Sequence, residues 1–180
     1  LTSLRHAVVA VQQDAFLFTT SLENNIAYGN PWAQPSQITD AGASAQLHQF
    51  IATLPAGYET IVGERGTTLS GGQRQRMTIA RTLMLHPSVL IFDDSTAAVD
   101  AGTEQRIRAT IQARSDECVT IIVAHRLNSL MHADQILFVE DGQIVEQGNH
   151  ADLLALGGRY HALHDLQIRP DKPQQNKATP

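Results

Sequence analysis

The stretch TTLSGGQRQRM, Thr67 to Met77, sets a serine and two glycines ahead of a run with helical periodicity. Free backbone N–H groups and the helix dipole make a helix N-terminus an anion site. Glycines without side chains let a phosphate approach the backbone. Ser70 and Gln73 also match a capping box of the Ser-x-x-Gln type. Ser70, Gly71, Gly72 and Gln73 therefore read either as a phosphate cradle or as a plain capped helix start. Four more polar residues close apolar runs. Asp93 ends VLIF, where a carboxylate holds Mg²⁺ through water or caps the segment that follows. Asp94 beside it is placed to act on a water, as general base or by orienting it, or to serve as a second capping carboxylate. His125, after IIVA, suits contact with a transferring phosphoryl group, a proton relay or a structural hydrogen bond. Gln13, after VVAVQ, could orient water or reach a metal ion, although single glutamines at strand ends are common.

These residues need elements to hold them. Val8–Val11 is a short β-branched strand. Helical patterning follows from Ser21 to Leu54, broken at GNPWAQPS by Gly29, Pro31 and Pro35. LPAGYET holds a turn, and VGERGTT is a Gly-rich loop. In the helix opened by Ser70, Met77, Ala80 and Met84 recur at i, i+3 and i+7, with Ile79 and Leu83 widening the apolar face. Pro87 stops it, because the residue before a proline disfavours helix. SVLIFDD and CVTIIVAHR read as fully buried strands, the second ending at His125, and AGTEQRIRATIQARS between them as a helix. DQILFVEDGQIVEQGN is a hairpin turning at Asp141-Gly142. Ala151–Leu166 reads as one amphipathic helix, and the polar, Pro-rich tail RPDKPQQNKATP is expected to be disordered. Buried strands alternating with helices predict a parallel α/β sheet. Ligands in such sheets sit outside the carboxyl ends of the strands, so Gln13, Asp93, Asp94 and His125 are expected to converge on one edge.

Bulk composition narrows the classes. A chain of 180 residues, 42% hydrophobic, suits one domain with a real core. The net charge, 13 − 18 = −5, weighs against a non-specific nucleic-acid binder. Cys118 is the single cysteine, so there is no disulfide framework and a reducing compartment fits. The longest apolar runs, such as Val89–Phe92 and Ile121–Ala124, are too short for a bilayer span. No signal peptide or internal repeat stands out. The chain begins at Leu1 in strand-like sequence, as a piece of a longer protein would.

The string LSGGQRQRMTIARTLMLHPSVLIFDDSTAAVD closely resembles the nucleotide-binding domain of ATP-binding cassette (ABC) proteins. Leu69–Gln73 is similar to the family's signature motif, Val89–Asp93 to its Walker B strand and Ser95–Asp100 to its D-loop. IIVAHRL resembles the switch-histidine region, and Val11–Gln13 with FLF the Q-loop. SLENNIAYGN, LPAGYETIVGERGTTLSGGQRQR and GQIVEQGNHADLLALGGRYHALH resemble exporters whose membrane and ATPase domains share one chain, with VGERG similar to their X-loop. The resemblance covers about Leu4 to Leu166. It implies an incomplete P-loop NTPase (RecA-like) α/β fold with a parallel sheet and an inserted helical subdomain. Residues 1–20 would be the Q-loop end of the core and 21–86 the helical subdomain with the signature helix. Residues 87–166 would be the core with Walker B, D-loop and switch histidine, and 167–180 a disordered tail.

The same resemblance implies ATP and Mg²⁺ as cofactors, with Asp93 and Gln13 holding the metal and Asp94, His125 and Gln13 as catalytic groups. It implies two nucleotide-binding domains paired head to tail. Ser70, Gly71, Gly72 and Gln73 would then hold the ATP of the partner subunit, and Asp100 would serve communication across the dimer. A membrane domain of the same transporter would be the second partner, at the cytoplasmic face of a membrane, and nucleic acid is not expected. Two departures matter. The phosphate loop G-x-x-x-x-G-K-[ST] is absent, since the only lysines are Lys172 and Lys177 in the tail. The chain alone is therefore expected to bind ATP poorly. The family usually has Glu where Asp94 stands, and Asp is one methylene, about 1.5 Å, shorter. A base must lie within hydrogen-bond reach of its water, so the Asp94 site is expected to be slow and the dimer to be a heterodimer. A soluble ABC ATPase of the DNA-repair or translation-factor kind and a non-hydrolysing regulatory subunit are the rival expectations.

Overall fold

Val89–Asp93 is the middle strand (β2) of a three-stranded parallel sheet. On one side it pairs with β1 (Val8–Val11), Val8 opposite Val89 and Val11 opposite Phe92. On the other it pairs with β3 (Val119–Val123), Val89 opposite Val119 and Asp93 opposite Val123. The computed structural model describes Leu4 and residues 7–11, 15–93, 98–113 and 118–168. It divides into two compact units, Leu1–Val123 and Ala124–Pro180. Of the tail expected to be disordered over 167–180, Gln167 and Ile168 instead end a helix, because Gln167 bonds to the His125 carbonyl and the Leu127 N–H. Residues 169–180 lie outside the described residues.

In the first unit the helices form where the sequence breaks predict. Helix α1 (Leu22–Ile26) starts at Ser21, whose hydroxyl accepts the Asn24 N–H at 3.1 Å. Pro35 opens α2 (Pro35–Ser44), and α3 (His48–Ala52) follows. Helix α4 (Gly71–Leu83) begins at Ser70 with both bonds of the capping box in place. It ends just before His86, at φ +46, and Pro87. Leu22, Ile26, Ile38, Ile51, Met77 and Ile79 are buried in one cluster with Val11, Leu90 and Phe92 of the sheet. Burial of each large apolar side chain stabilises by about 1.5–3 kcal/mol, so this cluster ties the helices to the carboxyl end of β2. Helix α5 (Ala101–Gln112) adds Ile107 and Ile111.

The burial of CVTIIVAHR differs from expectation. Val119, Ile121 and Val123 of β3 are 63%, 46% and 49% exposed. Among the described strands β3 has only β2 beside it, so its other edge has no described strand partner and these side chains stay about half exposed. An apolar run reports that a strand suits a covered position; the cover itself is a tertiary fact.

The second unit holds the antiparallel hairpin of β4 (Ile136–Glu140) and β5 (Gln143–Gly148). Asp141 and Gly142 turn it at φ +50 and +77, the two positive values that a type I′ turn requires. The expected single helix Ala151–Leu166 is two, α6 (His150–Leu156) and α7 (Arg159–Ile168). Gly157 takes the left-handed conformation at φ +66 and closes α6. The Glu146 carboxylate then accepts the Arg159 and Tyr160 N–H groups at 2.5 and 3.1 Å, which caps α7. Leu127, Ile136, Leu153 and Tyr160 form the core of this unit. No helix among the described residues is long and apolar enough to cross a membrane.

Candidate nucleotide site

The start of α4 is a reciprocally capped turn. The Gln73 N–H donates to Ser70 Oγ at 3.3 Å, and the Ser70 N–H donates to Gln73 Oε1 at 2.8 Å. A serine hydroxyl has one proton and two lone pairs, so Ser70 accepts this cap and still has a proton to give. The N–H groups of Gly71 and Gly72 lie in the first turn, ahead of any intrahelical acceptor. A Cβ at Gly71 would touch little, with Ala98 Cβ 3.9 Å away, whereas one at Gly72 would lie 2.8 Å from the Ala98 carbonyl oxygen. Glycine at position 72 is what lets the segment before Asp100 pack against α4. The donor set, one hydroxyl and two backbone amides at a positive dipole end, fits a phosphate group.

Cations hold this turn in place. Arg74 donates to the Leu69 carbonyl at 2.7 Å. Arg76 donates to the carbonyls of Gly72, at 3.3 Å, and of Gln46 beyond α2. Burial pulls the Arg76 guanidinium below its ordinary pKa, with Asp100 acting against that shift and Arg106 with it. Asp100 itself caps α5, its carboxylate accepting the Thr103 N–H at 2.9 Å, and that hydrogen bond holds its pKa below the usual carboxylate value. Asp100 is thus the N-cap of α5, a local role that its D-loop position did not announce.

Asp93 stands exposed at the carboxyl end of β2. One carboxylate there fits Mg²⁺, which keeps most of its water and binds through one or two carboxylates and substrate phosphates. Gln13 and Asp94 lie outside the described residues. His125 belongs to the second unit, with an exposed side chain. Its carbonyl accepts the Gln167 Nε2 amide at 2.8 Å, and the Leu127 N–H donates to Gln167 Oε1 at 3.0 Å. Of the four strand-end groups expected on one edge, the described residues thus include Asp93 and His125, in different units.

Two side chains that periodicity did not single out organise the surface beside α4. Asn25, fully buried, donates to the carbonyls of Phe18 and Ser21 at 3.0 Å each, while its Oδ1 accepts the Phe18 N–H and Arg81 Nη2 at 3.0 and 2.8 Å. Arg81, from α4, also donates to the carbonyls of Asn25 at 2.8 Å and Phe16 at 3.1 Å. Its guanidinium lies over the Phe18 and Tyr28 rings, 5.3 and 5.5 Å from their centroids, and burial lowers its pKa. The sequence signal was an asparagine on the apolar stripe Leu22, Asn25, Ile26. Beside this network Phe16 and Tyr28 are exposed, and Trp32, four residues on from Tyr28, is 89% exposed.

A family model described as ABC transporter matches residues 1–97. A protein of Bacillus subtilis, called an uncharacterized ABC transporter ATP-binding protein, YknU, is 47% identical over 172 residues, 96% of this chain and 29% of that protein. A Staphylococcus aureus protein, provisionally named for multidrug export as an ATP-binding/permease protein, is 44% identical over 92% of this chain and 28% of its own length. The solved structure of a bacterial Atm1-family ABC exporter with ATP bound superimposes with a TM-score of 0.88 at 43% identity, over 96% of this chain and 30% of that one. The chain thus spans less than a third of the length of these relatives.

Proposed function

Because the chain belongs to the ABC transporter family, we propose that it is the signature-bearing part of an exporter ATPase that closes over the nucleotide of a paired domain. The fold is that of the P-loop NTPase nucleotide-binding domain, with a parallel sheet and attached helices. The observation that carries the proposal is the start of α4. Ser70 keeps a hydroxyl proton, and Gly71 and Gly72 keep backbone amides, for a γ-phosphate presented from outside the chain. Residues 21–86 serve as the helical subdomain and 87–166 as core, and the helix that closes the core runs on through Gln167 and Ile168.

Asp93 and Gln13 would hold Mg²⁺ in the chain's own site, where the metal would supply charge neutralisation at the phosphate oxygens. Asp94 orients the attacking water, and His125 stabilises charge at the γ-phosphate. Asp100 and the Gly72–Ala98 packing link that site to the lid formed by α4. The exposed aromatic surface of Phe16, Tyr28 and Trp32 suits contact with a membrane domain at the cytoplasmic face. ATP hydrolysis there drives transport through that domain.

Asp94 favours a heterodimer in which this chain completes a competent site on its partner and carries a slow site of its own. The test is site-resolved turnover in the full-length, assembled protein. Asp94→Glu, by restoring about 1.5 Å of reach, raises hydrolysis at the chain's own site about 10- to 100-fold. Brisk hydrolysis at the unmodified Asp94 site overturns the degenerate-site reading. Full ATP-driven dimer closure with no hydrolysis at either site favours a regulatory subunit.

A further inference from the structure

We propose that Gln167 is a positioning residue for His125, a clamp that sets where the imidazole sits. The proposal rests on the reading of His125 as a γ-phosphate contact given above. Gln167 lies in the last turn of α7, 42 residues from His125 in sequence. Its amide makes two backbone bonds, donating from Nε2 to the His125 carbonyl and accepting the Leu127 N–H at Oε1. One donor and one acceptor on either side of Arg126 bind the loop as a neighbouring strand would. Among the described residues the His125 ring has no hydrogen-bond partner of its own, so its backbone decides where it points. Downstream, Leu127 is buried in the core of the unit and starts a 3₁₀ turn in which the Leu130 N–H donates to the Leu127 carbonyl. Gln167 thus supplies the hold at His125 itself.

The bond to the His125 carbonyl is exposed and the one from the Leu127 N–H is part-buried, so together they add only about 1–2 kcal/mol to net stability. A purely structural role predicts a fall in melting temperature. A positioning role predicts a loss of turnover larger than the small fall in melting temperature explains.

The experiment uses the full-length, assembled protein and single-turnover hydrolysis at this chain's own site. Gln167→Met, similar in length but unable to make either bond, is expected to lower the hydrolysis rate about 10-fold with the KM for ATP unchanged. It should also speed amide hydrogen exchange in a peptide spanning 121–130 and in no other. Gln167→Glu gives a second readout. The ionised carboxylate accepts from Leu127 but opposes the His125 carbonyl, whereas the protonated acid restores both bonds. At about pH 7 an exposed Glu, with an ordinary pKa of about 4.3, is ionised, so Gln167→Glu should lower turnover at least as much as Gln167→Met. His125→Ala separates the two layers of the argument. If it abolishes turnover while Gln167→Met does not change it, the clamp is overturned and the reading of His125 stands. Unchanged exchange in 121–130, or a fall in melting temperature that accounts for the lost activity, also overturns the clamp. If His125→Ala leaves turnover intact, the reading of His125 fails and the positioning role fails with it.

Discussion

At the scale of single residues, the two glycines of the SGG turn are not equivalent. A Cβ at Gly71 would meet Ala98 Cβ at an ordinary 3.9 Å, while one at Gly72 would crowd the Ala98 carbonyl oxygen at 2.8 Å. Gly72→Ala forces backbone to shift and is expected to destabilise the chain by about 1–3 kcal/mol. Gly71→Ala should change stability by less than about 1 kcal/mol, because helix propensity offsets any crowding. Urea denaturation of both variants checks this, and equal effects would refute the packing role given to Gly72. The capping box was legible in the sequence because all its bonds lie within four residues. The Ala98 contact was not, since it joins segments that meet only after folding.

Among elements, α1 and α4 are joined through Asn25 and Arg81 rather than by apolar contact alone. Asn25→Ala leaves a buried guanidinium and the Phe18 backbone short of partners. A buried polar group left unsatisfied costs about 1–3 kcal/mol, and several lose bonds here, so we expect about 3 kcal/mol of destabilisation by chemical denaturation. A loss near zero would mean that water replaces the network. In the second unit His150, at the start of α6, contacts the Tyr160 hydroxyl through Nδ1 at 2.7 Å and faces the His164 ring at 5.7 Å. Burial, then the neighbouring His164 and His132, lowers its pKa. The unfolded chain then binds more protons than the folded one below the ordinary histidine pKa of about 6.5, so stability rises with pH and is lost as pH falls through that window. Melting temperatures from about pH 8 to about pH 5 should show this slope, and His150→Gln should flatten it. An unchanged slope in that variant assigns the effect to other groups.

For the molecule as a whole, β3 is the exposed feature with the largest consequence. Among the described residues its outer edge pairs with no strand, and with the half-exposed side chains of Val119, Ile121 and Val123 it makes an apolar template for another strand. The isolated 180-residue chain is expected to self-associate with rising concentration. Ile121→Lys together with Val123→Thr should return it to monomer in sedimentation velocity, and a parent chain that stays monomeric would refute this. The same surface explains why strand burial was over-read: β2 and β3 each carry four apolar residues in five, and only the packed structure separates a central strand from an edge.

What the sequence by itself determined is local. Residues within a few positions of one another set the Ser70 cap, the Asp141-Gly142 turn and the α/β alternation. The ordered motifs from Gln13 to His125 were enough to place the chain in its family and to mark Asp94 as one methylene short. Only the tertiary structure decided that β3 lies exposed, that Glu146 caps a second terminal helix after Gly157, that Asn25 holds Arg81 across 56 residues, and that Gln167 reaches the His125 loop. The physical reason is common to all of these. Each depends on a hydrogen bond or a cover between segments distant in the chain, and periodicity and capping rules say nothing about which distant segments will meet.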